Sequence, residues 1–562
     1  MIELYPVLPF LLAAIAAPLM PRTWRRVLPL VASLAALIQL YQLPDGATLS
    51  LELVGHDWIL MQVDALGRVF SLAFVIYTFI VGVYGWSNKS GSFAATTLLQ
   101  GAGGTGIALV GDLFSLYIFW EMLTVSSLFL IWEGRTRKAL SAGFHYVILH
   151  LLGGICLLAG GVMIYAEGPV AFDQMDLTSM GLPSVLILIG LVTNAALPPL
   201  HAWLPDAYPA ATFYGTCVLA AFTTKSAICV LIRLFPGSEI LMWGGAAMAL
   251  YGVVFAVLEN DIRRLLSYHI ISQVGYMICG VGLGTAMALN GSAVHAFSHI
   301  FYKGLLLMSA GAVIYATGRG KLTELGGLAR PLMWVLVFMM IGGFSISGVP
   351  LFNGFVSKSM IVYASGQSHR GAIELMLEIA SMGTFLHTGL KLPWFTFFGK
   401  DNGARVERPV PISMYWAMGL VSAICIGTGI FPELIYQLLP YTVDVPYNPF
   451  TGYHIVGMLQ LLVGTALGFW LLRGKLGGEP TVTLDVDRLY RGPVCWVVNS
   501  VGTALQAGGS LVDGVQQSLS STLGRWAESY KSATHRLRLA HQAGIFIGIL
   551  VITLLALISY GT

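Results

Sequence analysis

Stretches of about twenty predominantly apolar residues recur along almost the whole chain, each long enough to cross a hydrocarbon layer ~30 Å thick as a helix. Runs such as SLAFVIYTFIVGVYG (71–85) show no polar–apolar alternation, which argues against a β-barrel. Helices also satisfy their own backbone in lipid. The pattern predicts an all-α polytopic membrane protein with about sixteen transmembrane helices, the first at 4–20 and the last at 542–560. Charged residues make up 10% of the 562 positions, against about 25% in an ordinary soluble domain. The start, MIELYPVLPFLL, has no basic leader or cleavage site and reads as an uncleaved first span. The six cysteines form no CxxC or other ligand spacing, so neither a disulfide framework nor a metal or iron–sulfur site is expected.

The loops between odd and even spans carry fifteen Lys and Arg residues, from Arg22 to Arg408; the other loops of the first fourteen spans carry Arg68, Arg233 and Arg370. This asymmetry places the basic loops inside and both termini on the outer face. Two spans are interrupted. The seventh (181–209) contains TNAALPPLHAWLPDAYP with Pro198, Pro199, Pro205 and Pro209; the twelfth (332–365) contains FSISGVPLFNGFVSK with Gly348, Pro350 and Gly354. Proline removes an amide donor and clashes with the preceding turn. Broken backbone at membrane depth is tolerated only inside protein or beside a water-filled cavity. Paired breaks in two halves point to inverted repeats and an ion pathway, with ordinary proline kinks as the plainer alternative. The expected organisation is N-terminal spans (1–91), a first repeat (92–235), a second repeat (240–398), C-terminal spans (411–472), an inner-face amphipathic segment (473–541) and a final anchoring span (542–562).

Within these apolar spans lie ionisable residues, although a charge at mid-bilayer costs about 2.5–3.5 kcal/mol on insertion scales. Glu121 sits deep in LFSLYIFWEMLTVSSLFLI, where burial disfavours its charged form and suits it to proton exchange. Lys225 is central in its span and can exist charged or neutral. His295, His299 and Lys303 fall at i, i+4 and i+8 on one helical face, a plausible proton wire. A metal site there is the weaker reading, because no third ligand type accompanies them. Lys358 follows the break in the twelfth span, and His387 and Lys391 form another i, i+4 pair, although Lys391 is also placed to reach the inner interface. His201 and Asp206 flank the first break, either as functional groups or as caps of a half-helix. His145 and His150 are ambiguous, and the charged stretch 259–269 reads as a solvated connection or helix start. Together these residues outline a polar path for protons or another small cation.

Six motifs, FWEMLTVSS (119–127), PLHAWLPDAYP (199–209), TTKSAICVLIR (223–233), DIRRLLSYHIISQVGYM (261–277), HAFSHIFYKGLLLMSAGAV (295–313) and GVPLFNGFVSK (348–358), resemble in type and order the antiporter-like subunits of respiratory complex I, Mrp-type sodium/proton antiporters (the D-type component) and membrane-bound hydrogenases. The resemblance covers roughly 60–420. It implies a 14-helix core of two inverted five-helix repeats with two broken helices. Glu121, Lys225, the His295/His299/Lys303 row and Lys358 match the family's buried relay. One position departs: Asn194 stands where the family usually has the lysine that pairs with the buried glutamate. An amide hydrogen-bonds but carries no proton.

The implied function is a proton (or sodium/proton) translocating subunit of a larger membrane complex, embedded in lipid beside other membrane subunits, in an energy-transducing membrane such as the bacterial plasma membrane. Two alternatives remain open: a scaffold subunit with a degenerate channel, and the membrane partner of a proton-driven inorganic-carbon accumulator. No motif for a nucleotide, flavin or cluster is present, so no cofactor and no nucleic-acid partner is expected, and the energy must come from a partner or an ion gradient.

Overall fold

A computed structural model describes residues 4–477, apart from 54–55, 89, 167–171, 176, 178–180 and 444–445, together with residue 485. The chain divides into two compact units, Met1–Thr481 and Val482–Thr562, and all described residues except Asp485 belong to the first. The expected amphipathic segment beyond residue 477 (apart from residue 485) and the final span at 542–562 therefore lie outside the described residues.

The chain begins with α1 (Leu8–Ala16) and α2 (Arg22–Gln42), then makes a two-stranded antiparallel hairpin, β1 (Thr48–Leu53) and β2 (His56–Gln62). Next come α3 (Ala65–Tyr84), α4 (Gly91–Leu109), α5 (Leu113–Trp132), α6 (Arg137–Ala166), α7 (Leu182–Asn194), α8 (Trp203–Ala210), α9 (Phe213–Leu219) and α10 (Thr223–Leu234). Then follow α11 (Glu239–Leu258), α12 (Ile262–Leu283), α13 (Ala286–Thr317), α14 (Met333–Ser347), α15 (Asn353–Gln367) and α16 (Gly371–Thr384). Two π-helical stretches continue α16, at Phe385–Lys391 and Trp394–Phe398, before α17 (Ile412–Ile430), α18 (Glu433–Tyr436) and α19 (Gly452–Leu472). Among the described residues, nine helical stretches are long and apolar enough to cross a membrane, and three shorter apolar helices accompany them.

The sequence itself sets many helix starts. Asp64, Asp112, Thr212, Asp261 and Thr285 each accept a backbone N–H from the first turn that follows, satisfying donors that have no intrahelical partner. Asp112 has a second role, accepting Ile59 N–H at 2.6 Å and so pinning the hairpin to the start of α5.

The expectation of an all-α chain is corrected by this hairpin. TLSLEL alternates polar and apolar residues with a period of two, the signature of a strand, and it sits between spans rather than within one. A second correction concerns the breaks. The seventh span is helical only over α7 and α8, and the twelfth is split between α14 and α15, as the prolines require. The eighth span is also broken, at residues 220–222 between α9 and α10, and the thirteenth passes from α- to π-helix. No proline marks the break at 220–222, and Pro393 falls eight residues past the start of the π-helical part, so sequence pattern alone reads both places as continuous helix.

α12 and α13 lie inside the bundle, whereas α19 lies at its edge, with Val456, Leu459, Val463 and Leu467 exposed along its length. α11 and α12 approach closely enough that a Cβ on Gly245 or Gly252 would come within 2.5 Å of the backbone of the other helix. Small residues at such a crossing let two backbones meet, which drives helix association where lipid removes the ordinary hydrophobic incentive.

Candidate functional site

The three breaks expose backbone carbonyls inside the protein, and lysines answer two of them. Residues 220–222 leave α9 and α10 unjoined, and Lys225 Nζ donates to Ala220 O at 2.7 Å and to Thr224 Oγ1 at 2.9 Å. At the second break, Gly348 closes α14 with φ +77°, and Lys358 Nζ donates to Ile346 O at 2.8 Å and to Ser381 Oγ at 3.4 Å. The chain doubles back so tightly here that a Cβ on Gly354 would sit 1.6 Å from Ser345 O. Lys358 also lies over the Tyr276 ring, 5.1 Å from its centroid. Each bond gives a partner to a carbonyl that the interrupted helix leaves without its intrahelical donor, so these lysines stabilise the breaks that surround them.

At the first break, Trp203 Nε1 donates to Thr193 O at 3.0 Å, and His201 Nε2 lies 3.0 Å from the Tyr251 hydroxyl. Asp206, in the first turn of α8, faces Arg264 at 3.8 Å. The expected site residues of the break thus bind neighbouring elements and secure the half-helix. Pro198, Pro199 and Pro350 lie in the non-helical connections themselves.

Between the lysines runs α13. His295, His299 and Lys303 are wholly buried on it. His295 Nδ1 is 2.9 Å from Ser357 Oγ, one position from Lys358, and its Nε2 faces the Tyr302 hydroxyl at 3.4 Å. Tyr302 donates to Gln273 Oε1 at 3.3 Å, and Gln273 Nε2 donates to Thr384 Oγ1 at 3.3 Å, one residue before the π-helical stretch that carries His387 and Lys391. Lys391 is 1% exposed and donates to Val257 O at 2.7 Å, one residue before the end of α11. The ring nitrogens of His299 and His387 and the Lys303 ammonium make no hydrogen bond among the described residues. No described lysine of this row forms an ion pair. No three His, Cys, Asp or Glu side chains gather as a metal site among the described residues.

His269 joins this row without having stood out in the sequence. It lies inside α12, fully buried, its ring 5.5 Å from that of His387 and within electrostatic reach of Lys303, Lys358 and Lys391. The charges of Arg263 and Arg264 make 259–269 read as a solvated connection or helix start; α12 does start at Ile262, and residues 265–269 within it are buried. His269, Gln273 and Tyr276 recur at i, i+4 and i+7, a one-face spacing that could have found them.

Glu121 stands apart from this row. It is 1% exposed, and neither carboxylate oxygen has a hydrogen-bonding partner among the described residues. Tyr117 and Tyr146 are within electrostatic reach of it, and it closes against Gly154 of α6. Asn194, the last residue of α7, is equally buried and equally unpartnered. The structure forms no hydrogen bond between the two. His150 is buried against Tyr146 and Trp203, whereas His145 is exposed.

Such a bundle, with ionisable side chains filed through broken helices, defines a class of polytopic membrane protein with a polar interior. The family described as NADH:quinone oxidoreductase/Mrp antiporter, transmembrane region, matches residues 110–385. The N subunit of the NADH-quinone oxidoreductase of Desulforudis audaxviator is 32% identical over 344 residues, covering 58% of this chain and 68% of the relative. The D component of the Na(+)/H(+) antiporter of Alkalihalophilus pseudofirmus is 32% identical over 368 residues, covering 62% and 74%. The fold matches a chain in the solved Mrp complex of a Dietzia species with TM-score 0.71 at 22% identity, over 82% of this chain and 100% of that one. The protein belongs to this family of antiporter-like membrane subunits.

Proposed function

We propose that the chain is a proton (or sodium/proton) translocating subunit of a multi-subunit membrane complex, related in role to the complex I and Mrp subunits it resembles. The observation that carries the reading is the row of buried lysines and histidines from Lys225 through His295, His299 and Lys303 to Lys358, His387 and Lys391, in which no lysine forms an ion pair among the described residues and Glu259 is within electrostatic reach of Lys391. Neighbouring cations repel, so a proton on one disfavours a proton on the next. A proton entering at one end therefore pushes charge along the row. Ions enter near one broken helix, pass among Glu121, Lys225 and the α13 row, and leave near the other.

The same reading takes the core as fourteen spans in two inverted five-helix repeats, 92–235 and 240–398, within sixteen spans overall, both termini outside, in a bacterial plasma membrane. It is tested by Lys225→Ala in vesicles containing the purified complex. Ion movement is expected to be lost, and full retention refutes the path. A scaffold role is favoured by one observation, the unpaired Glu121 together with Asn194 at the position of the family's lysine. Unchanged activity of the complex after joint Glu121→Gln and Lys358→Met substitution would establish it.

A further inference from the structure

α16 has two unlike faces. Ile373, Leu377 and Ala380 pack inward with Met242 and Ala246 of α11, while Leu375, Glu378, Ile379 and Met382 point out. Glu378 is the one carboxylate exposed in the interior of a long helix among the described residues. It lies seven positions into α16, about 10 Å along the axis at 1.5 Å per residue. It has no hydrogen bond or ion pair among the described residues, and its outward neighbours are 57%, 48% and 42% exposed. A carboxylate facing lipid at that depth is expensive, and its chain is too short to reach headgroups. The residue one turn on, Ser381, is the one that accepts from Lys358.

We propose that this outer face of α16 is the docking surface for a membrane-spanning helix of a partner subunit, which presents a basic side chain to Glu378. The proposal rests on the reading of this chain as one subunit of a complex and names the face and the chemistry of the contact. Charge selects the occupant. A two-fold dimer packed α16 against α16 would offer Glu378 only Glu374 and Glu378 of the second copy, since Gly371–Thr384 holds no basic residue, and like-charge repulsion opposes that. The chain's own 545–560, IFIGILVITLLALISY, contains no basic residue. Because Ser381, one turn on from Glu378 in the same helix, accepts from Lys358, the contact also places the partner's charge where it biases protonation of the relay.

The test uses the native complex in its membrane. Leu375 and Ile379 are replaced one at a time by a photo-crosslinking phenylalanine, and the cross-linked peptides are sequenced. Both positions are expected to join a spanning segment of an identified co-purifying subunit that carries Lys or Arg. Cross-links only to lipid, to a second copy, to 545–560 or to a segment without a basic residue overturn the proposal. In parallel, Glu378→Leu is expected to lower the partner's stoichiometry about tenfold. A lipid-facing carboxylate would instead tolerate leucine, so unchanged stoichiometry also overturns it. Neither readout measures ion movement, so loss of the relay reading in vesicles and loss of this surface are distinguishable.

Discussion

Replacing Gly154 by alanine is expected to displace Glu121 without unfolding the protein. The new Cβ would lie 2.1 Å from Glu121 Oε1 and 3.2 Å from its carboxyl carbon, whereas ordinary contact begins near 3.4 Å. The carboxyl group must therefore retreat by about 1.3 Å. It is the end of a flexible side chain, so moving it off its rotamer costs about 0.5–1.5 kcal/mol. Exchanging glycine for alanine inside α6 returns about 0.8–1 kcal/mol of helix propensity. The two nearly cancel, and the unfolding midpoint should shift little. Transport should not be so tolerant, because a displacement of about 1 Å in a reacting group can cost ~100-fold. We expect at least about a tenfold fall in ion movement by the complex in proteoliposomes, read with a pH-sensitive dye. Gly153→Ala is the control, since its Cβ meets Thr193 no closer than 3.2 Å and faces away from Glu121. Wild-type transport by Gly154→Ala, with its fold intact, would refute the placement of Glu121 in the pathway.

His269→Ala should reduce ion movement toward the level of a Lys303 variant, while His145→Ala, at an exposed position, should leave it unchanged; equal effects in the two would dismiss His269 from the row. Gly282→Ala sets a Cβ 2.0 Å from Met242 N, a backbone atom that cannot swing aside, so α11 and α12 must part and thermal stability should fall by about 1–3 kcal/mol. An unaltered melting curve would contradict that crossing.

The relay lysines are legible one by one because charge is rare in this chain and its spans are uniformly apolar, so Lys225, Lys303 and Lys358 stand out without any fold in hand. The breaks at Pro198, Pro199 and Pro350 are legible because a missing amide donor acts on its own turn of helix. The break at 220–222 is not. It is held by contacts from elsewhere: Tyr208 donates to Leu219 O at 2.8 Å and Lys225 to Ala220 O at 2.7 Å. His269 is hidden for the same reason, since two arginines beside it look the same in sequence whether the next turn is wet or buried.

Sequence by itself determined that the chain fills a membrane with helices, where proline and glycine interrupt them, and which rare charges had to be accommodated within. Those are local consequences of residue chemistry and of the solvent around it. Only the tertiary structure decided which carbonyls each lysine answers, that Lys391 turns inward to Val257, that Glu121 and Asn194 are buried without a bond between them, and that Glu378 faces out. Each of these depends on which helices pack together, and packing joins residues whose separation along the chain says nothing of their separation in space.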